Sequence, residues 1–267
     1  MNNDITVHFL GTNGWFNTKT GNTTCHLLDS PKSYIILDAG NALYKVDKYI
    51  VQDKPIFLFL SHFHLDHIFG LHILNKFEFK QGLTICCYDG GGEILHHLMK
   101  GPYTIPINQL KYDVKIKEIS QGYNEDFPFM VKAQALVHST RCFGYRFEFE
   151  NRVVTYCTDT GLCPSINDLA NNANLLIAEC SLRPGQIKSK WASNPHMSPM
   201  DAALVARDSN VEQLALIHFD ADNYTTLGQR KDAVKEAEKY FPNVTEFFLR
   251  STATSNIFPF ITVISFA

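Results

Sequence analysis

Ser61-His62-Phe63-His64-Leu65-Asp66-His67 decides the reading of this chain. Three imidazoles and one carboxylate fall between the apolar run Ile56-Phe57-Leu58-Phe59-Leu60 and a second run from Ile68 to Leu74. The first run is short and rich in β-formers, which predicts a buried strand; the second has helical length. His62 and His64 lie two apart in an extended segment and therefore point the same way. Asp66 and His67 come at the turn into the helix, where they face a neighbouring point. This pattern suits two adjacent metal ions, one held mainly by His62 and His64, the other by Asp66 and His67. Neutral imidazole and carboxylate are ligands that zinc, manganese and iron accept.

Outward from this stretch, the same positional pattern recurs. Asp38 follows Ile35-Ile36-Leu37, His138 follows Ala135-Leu136-Val137, and Asp159 follows Val153 to Cys157 with one threonine between. Glu179 follows Leu175 to Ala178, and His218 follows Leu214 to Ile217. A single histidine at a strand end is more often a hydrogen-bonded structural residue. Six such polar groups together favour a site assembled at one sheet edge.

The rest of the chain reads as alternating short strands and helices. Strands are expected at Ile5 to Leu10, Thr23 to Leu28, Tyr34 to Leu37, Leu83 to Cys87, Val114 to Ile119, Met130 to Val137, Phe143 to Phe149, Val153 to Cys157, Leu175 to Ala178 and Leu214 to Ile217. Ser30-Pro31-Lys32 is expected to turn a hairpin. Helices are expected at Gly92 to Lys100, Ile166 to Ala170, Pro199 to Arg207 and Leu227 to Tyr240. Ser165 with Asp168, and Ser198 with Asp201, resemble capping boxes with a shorter acid. No repeat, low-complexity tract or linker-like break is visible, so the expectation is one domain over residues 1–267.

Bulk properties exclude several classes. The 267 residues are 45% hydrophobic and 19% charged with net charge −3, so no basic footprint for nucleic acid is visible at whole-chain level. The start Met1-Asn2-Asn3-Asp4 lacks the basic and apolar regions of a signal peptide, and no apolar stretch reaches membrane-spanning length. Seven cysteines, an odd count without a CxxC pair, fit free thiols in a reducing cytoplasm better than a disulfide framework.

His62-Phe63-His64-Leu65-Asp66-His67, followed in order by His138, Asp159 and His218, resembles the metallo-β-lactamase superfamily from Ile5 to about Tyr240. The resemblance implies an α/β fold, a four-layer αββα sandwich with a dinuclear centre. One metal would take His62, His64 and His138, the other Asp66, His67 and His218, with Asp159 bridging. Asp38 resembles the family aspartate that orients ligands. The β-lactamases proper carry cysteine where Asp159 stands, which argues against antibiotic hydrolysis. The di-iron flavodiiron oxidases carry glutamate where His64 stands, which argues against redox chemistry.

Further segments resemble the phosphodiesterase branch that includes ribonuclease Z: Phe9-Leu10-Gly11-Thr12, Glu179-Cys180-Ser181, His196-Met197-Ser198, and His218-Phe219-Asp220 with Tyr224. Only twenty residues separate His138 from Asp159, which leaves no room for a protruding tRNA-binding arm. Enzymes of the branch without the arm resemble small-substrate phosphodiesterases. The expected substrate is a small phosphodiester or nucleotide, or an RNA 3′ end, with no membrane partner. A homodimer is the commonest assembly where one exists.

Two metals about 3.5–4 Å apart can share a hydroxide and polarise the phosphoryl oxygen it attacks. Zinc is the default for this ligand mix, with manganese and iron compatible. The catalytic candidates are Asp66, His196 and Glu179, with Glu179 positioning His196 to serve the leaving alkoxide. Alternatives on the same scaffold are a thioesterase or lactonase, and, outside enzymes, a metal-stabilised binding module.

Four other features have plainer readings. Gly90-Gly91-Gly92 lacks the Lys-Ser/Thr of a P-loop and reads as a tight strand-to-helix turn. Gly101-Pro102-Tyr103-Thr104 would roof the site, and Lys190 to Pro195 with Trp191 would form a lid. The tail Ser251 to Ala267 is apolar and β-rich, an edge strand or an oligomer contact.

Overall fold

The structure is a computed structural model and describes residues 5–186, 195–245 and 262–266. In chain order the strands of the first half are β1 Ile5–Gly11, β2 Asn13–Gly14, β3 Cys25–Asp29, β4 Tyr34–Leu37, β5 Ile56–Phe59, β6 Leu83–Tyr88, β7 Val114–Ile119 and β8 Gly122–Asn124. The second half supplies β9 Met130–Leu136, β10 Cys142–Glu148, β11 Val153–Cys157, β12 Leu175–Glu179, β13 Gln213–Ile217, β14 Phe219–Asp220, β15 Val244–Thr245 and β16 Thr262–Phe266. The α-helices are α1 Leu65–Ile68, α2 Gly91–Leu98, α3 Pro164–Ala170, α4 Pro199–Asp208 and α5 Leu227–Glu238. The expected mixed α/β class is therefore observed, with two large sheets.

The chain divides into two compact units. Of the described residues, 5–11, 22–120 and 262–266 belong to the first, and 12–21, 121–186 and 195–245 to the second. The first unit carries a seven-stranded sheet in the order β16-β1-β3-β4-β5-β6-β7. Its β4 to β7 are parallel, and β4 is buried at all four positions. Such uninterrupted apolar runs belong to strands covered on both faces. Leu27, Ile36, Leu58 and Ile85 pack with Leu43, Val46, Leu71 and Leu95 from the helical segments. Each buried side chain of this kind contributes about 1.5–3 kcal/mol of burial.

The hairpin at Ser30-Pro31-Lys32 is present, closed by Ser30 N donating to the Ser33 carbonyl at 3.0 Å. The run from Ile68 to Leu74 differs from the expected helix. After the single turn of α1 it winds as a 3₁₀ segment over Phe69–Lys76. Gly70 explains the tightening: its amide donates to the Ala39 carbonyl at 2.7 Å, and a Cβ there would lie 2.4 Å from the Gly40 carbonyl oxygen. A second 3₁₀ segment, Asn41–Lys48, was not expected from the sequence.

At Gly90, φ is +83°, which glycine adopts without strain. The Gly90 and Gly92 amides donate to the Glu118 carboxylate at 3.0 Å each, so an internal carboxylate occupies the position an anion would take. The triple glycine is a tight turn, as read. Part of the tail is an edge strand: β16 pairs antiparallel with β1. The rest of that tail, and the expected lid before Pro195, lie outside the described residues.

The second unit carries the order β15-β13-β12-β11-β10-β9-β8, with β11, β12 and β13 parallel. A two-stranded ribbon pairs β2 with β14. Leu176, Leu214 and Leu216 pack with Ala202, Ala206, Ala233 and Val234 of α4 and α5. Ser198 and Asp201 form the expected capping box of α4, and Thr226 with Gln229 forms another on α5. The box expected from Ser165 and Asp168 is absent. Pro164 opens α3 with Cys163 as N-cap, so Ser165 already lies inside the helix; Asp168 instead accepts from Lys132 at 2.8 Å and from Gln134. The seven cysteines are free thiols. Among the described residues no helix is long and apolar enough to cross a membrane.

Candidate metal centre

In the first unit the donors sit where two parallel strands end side by side. Asp38 leaves β4 with φ +56°, a left-handed turn that carries its carboxylate towards the end of β5. Such a conformation costs about 1–3 kcal/mol and persists where surrounding contacts fix it. Those contacts are explicit. Fully buried Asp38 accepts from Ser61 N at 2.7 Å, from Ser61 Oγ at 2.8 Å and from His67 Nδ1 at 2.7 Å. Ser61 Oγ lies 3.0 Å from His62 Nδ1. Its own proton goes to Asp38, so it accepts from the imidazole. Both His62 and His67 are thereby set in the Nδ1–H tautomer, with the Nε2 lone pair left to bind.

The rings cluster as the spacing implied, with His62 centred 4.5 Å from His64 and 4.2 Å from His67. His67 Nε2 lies 3.5 Å from Asp66 Oδ2. With the proton held on Nδ1, this is lone pair against carboxylate, a contact that a shared cation makes favourable. Gly40 permits the geometry, since a Cβ there would lie 2.3 Å from the Asp66 carbonyl oxygen.

In the second unit β9, β11, β12 and β13 run in one direction, so the groups at their C-terminal ends share one sheet edge. Asp159 and His218 both have left-handed backbones, φ +50° and +51°. His218 Nε2 lies 3.0 Å from Asp159 Oδ1, and His138 Nε2 lies 3.6 Å from Asp159 Oδ2. Ser181 Oγ donates to the His218 carbonyl at 3.0 Å and is 3.0 Å from His218 Nδ1. It therefore accepts from Nδ1–H, and the His218 Nε2 lone pair faces the carboxylate. Two acceptors at that separation call for a proton or a metal between them. The donor set in each unit thus fits a divalent cation.

Fully buried Glu179 closes β12 and holds the remaining imidazole. Its carboxylate accepts from His196 Nδ1 at 3.0 Å to each oxygen, from Met197 N at 3.3 Å and from Thr160 N. Burial works against the His196 cation, but the Glu179 charge and hydrogen bond outweigh it and hold the imidazole pKa above its ordinary value. The His196 ring lies nearly parallel to that of His218, with centroids 6.0 Å apart, and 5.6 Å from His138.

Sequence reading named every one of these candidate donors, and Asp38 and Glu179 among the groups that fix them, but gave no role to the two serines. Ser61 and Ser181 stand inside quoted motifs, yet their role needs coordinates. Gly14 was passed over: a Cβ there would lie 2.5 Å from His218 Cε1, so this backbone lies against the ring. The remaining histidines hold no place in either set. His26, for example, is buried and bonds Thr24 Oγ1 at 3.1 Å.

A family model described as the beta-lactamase superfamily domain matches residues 34–219. A probable metallo-hydrolase, YhfI of Bacillus subtilis, is 25% identical over 249 residues, covering 88% of this chain and 93% of that protein. Ribonuclease Z of Ligilactobacillus salivarius is 26% identical over 301 aligned positions, covering 89% of this chain and 92% of the enzyme. Those positions outnumber the 267 residues here, so the ribonuclease carries segments that this chain lacks. The crystal structure of YhfI, described as a metallo-beta-lactamase fold protein, superposes with a TM-score of 0.76 at 22% identity, covering 98% of this chain and 100% of that one.

Proposed function

This chain belongs to the beta-lactamase superfamily, and on that premise we propose that it is a dinuclear metal-dependent phosphodiesterase. Its substrate is a phosphodiester of a nucleotide or of an RNA 3′ end. One cation would take His62, His64 and His138, the other Asp66, His67 and His218, with Asp159 shared. Zinc is the default for these donors, and manganese and iron accept the same set. Bound there, two divalent cations supply Lewis acidity towards a phosphoryl oxygen and lower the pKa of water.

The chain's own residues do the rest. Asp38 and Ser61 hold His62 and His67 in one tautomer, and Ser181 does the same for His218. Asp66 accepts a hydrogen bond from the attacking water. His196 gives a proton to the departing alkoxide, and Glu179 keeps that imidazole oriented and protonated.

The observation that carries the reading is the Glu179–His196 pair beside His218, an acid with raised pKa that metal binding alone does not require. A relative named ribonuclease Z supports a phosphodiester over a thioester or lactone. The short span from His138 to Asp159 supports a small substrate.

The test is hydrolysis of a dinucleotide, thymidylyl-(3′→5′)-thymidine, whose leaving group is an alkoxide, by zinc- or manganese-loaded protein, wild type beside His196→Ala. Turnover falls about 10²–10⁴-fold in the variant, with metal content unchanged. Metal lost together with activity would make His196 a ligand instead. A metal-replete wild type that turns over thioesters or lactones but no phosphodiester would overturn the reading.

A further inference from the structure

Trp15 is out of keeping with its surroundings. It is 63% exposed, in a unit whose other large aromatics include fully buried Tyr145, Tyr156, Tyr224 and Phe219. Its backbone sits at φ +70°, a region that bulky side chains rarely adopt. Phe16 beside it is 39% exposed, and the two rings meet edge to face at 5.2 Å.

The loop that presents this pair is stapled at several points. β2 pairs with β14 through Asn13 and Phe219. Buried Asn13 donates to the Phe16 carbonyl and to Thr18 Oγ1, both at 3.1 Å. Arg230, 3% exposed, donates to Thr12 Oγ1 at 2.9 Å, to Asn13 Oδ1 at 2.5 Å and to Thr20 Oγ1 at 2.9 Å. The guanidinium also lies over the Phe219 ring, 4.7 Å from its centre. A buried arginine spent on a short surface loop fixes that loop rather than the core.

What the loop is fixed against is His218. Gly14 takes the position against the imidazole that any side chain would fill, since its Cβ would meet three ring atoms within 2.9 Å. Trp15 is the next residue, at most about 3.8 Å further along the Cα trace. A rigid, solvent-facing indole therefore stands one residue from the backbone that touches a metal-donor ring.

We propose that Trp15, backed by Phe16, is the specificity-determining platform on which a nucleobase of the substrate stacks while the adjoining phosphodiester lies at His218. This rests on the phosphodiesterase reading and adds the part of the substrate that is selected. Every base offers a π-face, so stacking favours nucleoside esters over alkyl esters without choosing among bases. Arg230 and Asn13 are positioning residues, which hold the indole in place before the substrate arrives.

The test compares two diesters with the same leaving group, thymidine 5′-(p-nitrophenyl phosphate) and methyl p-nitrophenyl phosphate, on metal-loaded enzyme. Wild type favours the nucleoside ester through a lower KM. Trp15→Ala shrinks that preference by about 5- to 150-fold, the value of one stacked base. Trp15→Phe keeps most of it. A preference untouched by Trp15→Ala overturns the proposal.

An equilibrium measurement separates this proposal from the catalytic one. Adenosine 5′-monophosphate quenches the tryptophan fluorescence of wild type, ribose 5-phosphate does not, and the quench is lost in Trp15→Phe. If wild type hydrolyses neither diester, the phosphodiesterase reading fails and this binding result decides alone. A Trp15-dependent quench supports the platform, and its absence at millimolar nucleotide overturns it.

Discussion

The two units assemble their candidate metal donors in opposite ways. The first draws His62, His64, Asp66 and His67 from six consecutive residues, the second draws His138, Asp159 and His218 from loops after three strands. In the first, one carboxylate organises two rings: Asp38 reaches His67 directly and His62 through Ser61. In the second, two of the imidazoles have separate supports, Ser181 for His218 and Glu179 for His196. The compact set is thus governed from one point, while the dispersed set is governed piecemeal by the alignment of parallel strands. Removing one support should be costly in the first unit and modest in the second.

Asp38→Ala sets the largest effect. It strands the Ser61 amide, the Ser61 hydroxyl and His67 Nδ1, each a buried group worth about 1–3 kcal/mol when left unpaired. Zinc affinity, measured by competition with a chromophoric chelator, falls towards the upper end of the roughly 10–100-fold range for such supporting groups. The urea midpoint falls with it. Unchanged affinity would show that the rings are held by other contacts, and the contrast between the units would dissolve.

Gly40→Ala comes next and acts on stability more than on chemistry. Its Cβ would meet the Asp66 and Thr24 carbonyl oxygens at 2.3 and 2.4 Å, both backbone atoms that cannot swing aside. An overpacking cost of about 1–3 kcal/mol is expected in urea unfolding. A stability matching wild type would mean that the loop shifts freely, and that the first unit is less tightly fixed than its hydrogen bonds imply.

Ser181→Ala is expected to be the smallest of the three. One imidazole loses its tautomer partner, while the Glu179–His196 pair keeps its own. Zinc affinity falls about tenfold, the lower end of the same range, and the urea midpoint barely moves. A loss equal to that of Asp38→Ala would break the comparison, because the second set would then also hang on one group.

The legibility of the two sets in sequence follows from the same contrast. The histidine-rich stretch was readable because the atoms it joins are neighbours along the chain, and an extended His62-Phe63-His64 can point its imidazoles only one way. Asp159 and Glu179 were readable as groups at the ends of apolar runs, but their partners were legible only through the family resemblance. That Glu179 meets His196 is a contact across 17 residues, which no local pattern encodes. Asp168 was misread for a related reason. Its spacing from Ser165 satisfies a capping rule, yet Pro164 moves the helix start and the tertiary neighbours Lys132 and Gln134 claim the carboxylate.

By itself the sequence determined the α/β class, most of the large-sheet strands and which side chains are candidate donors, because apolar periodicity and residue chemistry are local properties. Tertiary structure alone decided the tautomers, the two serine supports and the place of Trp15. Those depend on which atoms meet across 23 residues for Asp38 and Ser61, 37 for Ser181 and His218, and 217 for Asn13 and Arg230. Contacts at such separations are fixed by strand order and packing, and the left-handed turns at Asp38, Asp159 and His218 become tolerable only once that packing is in place.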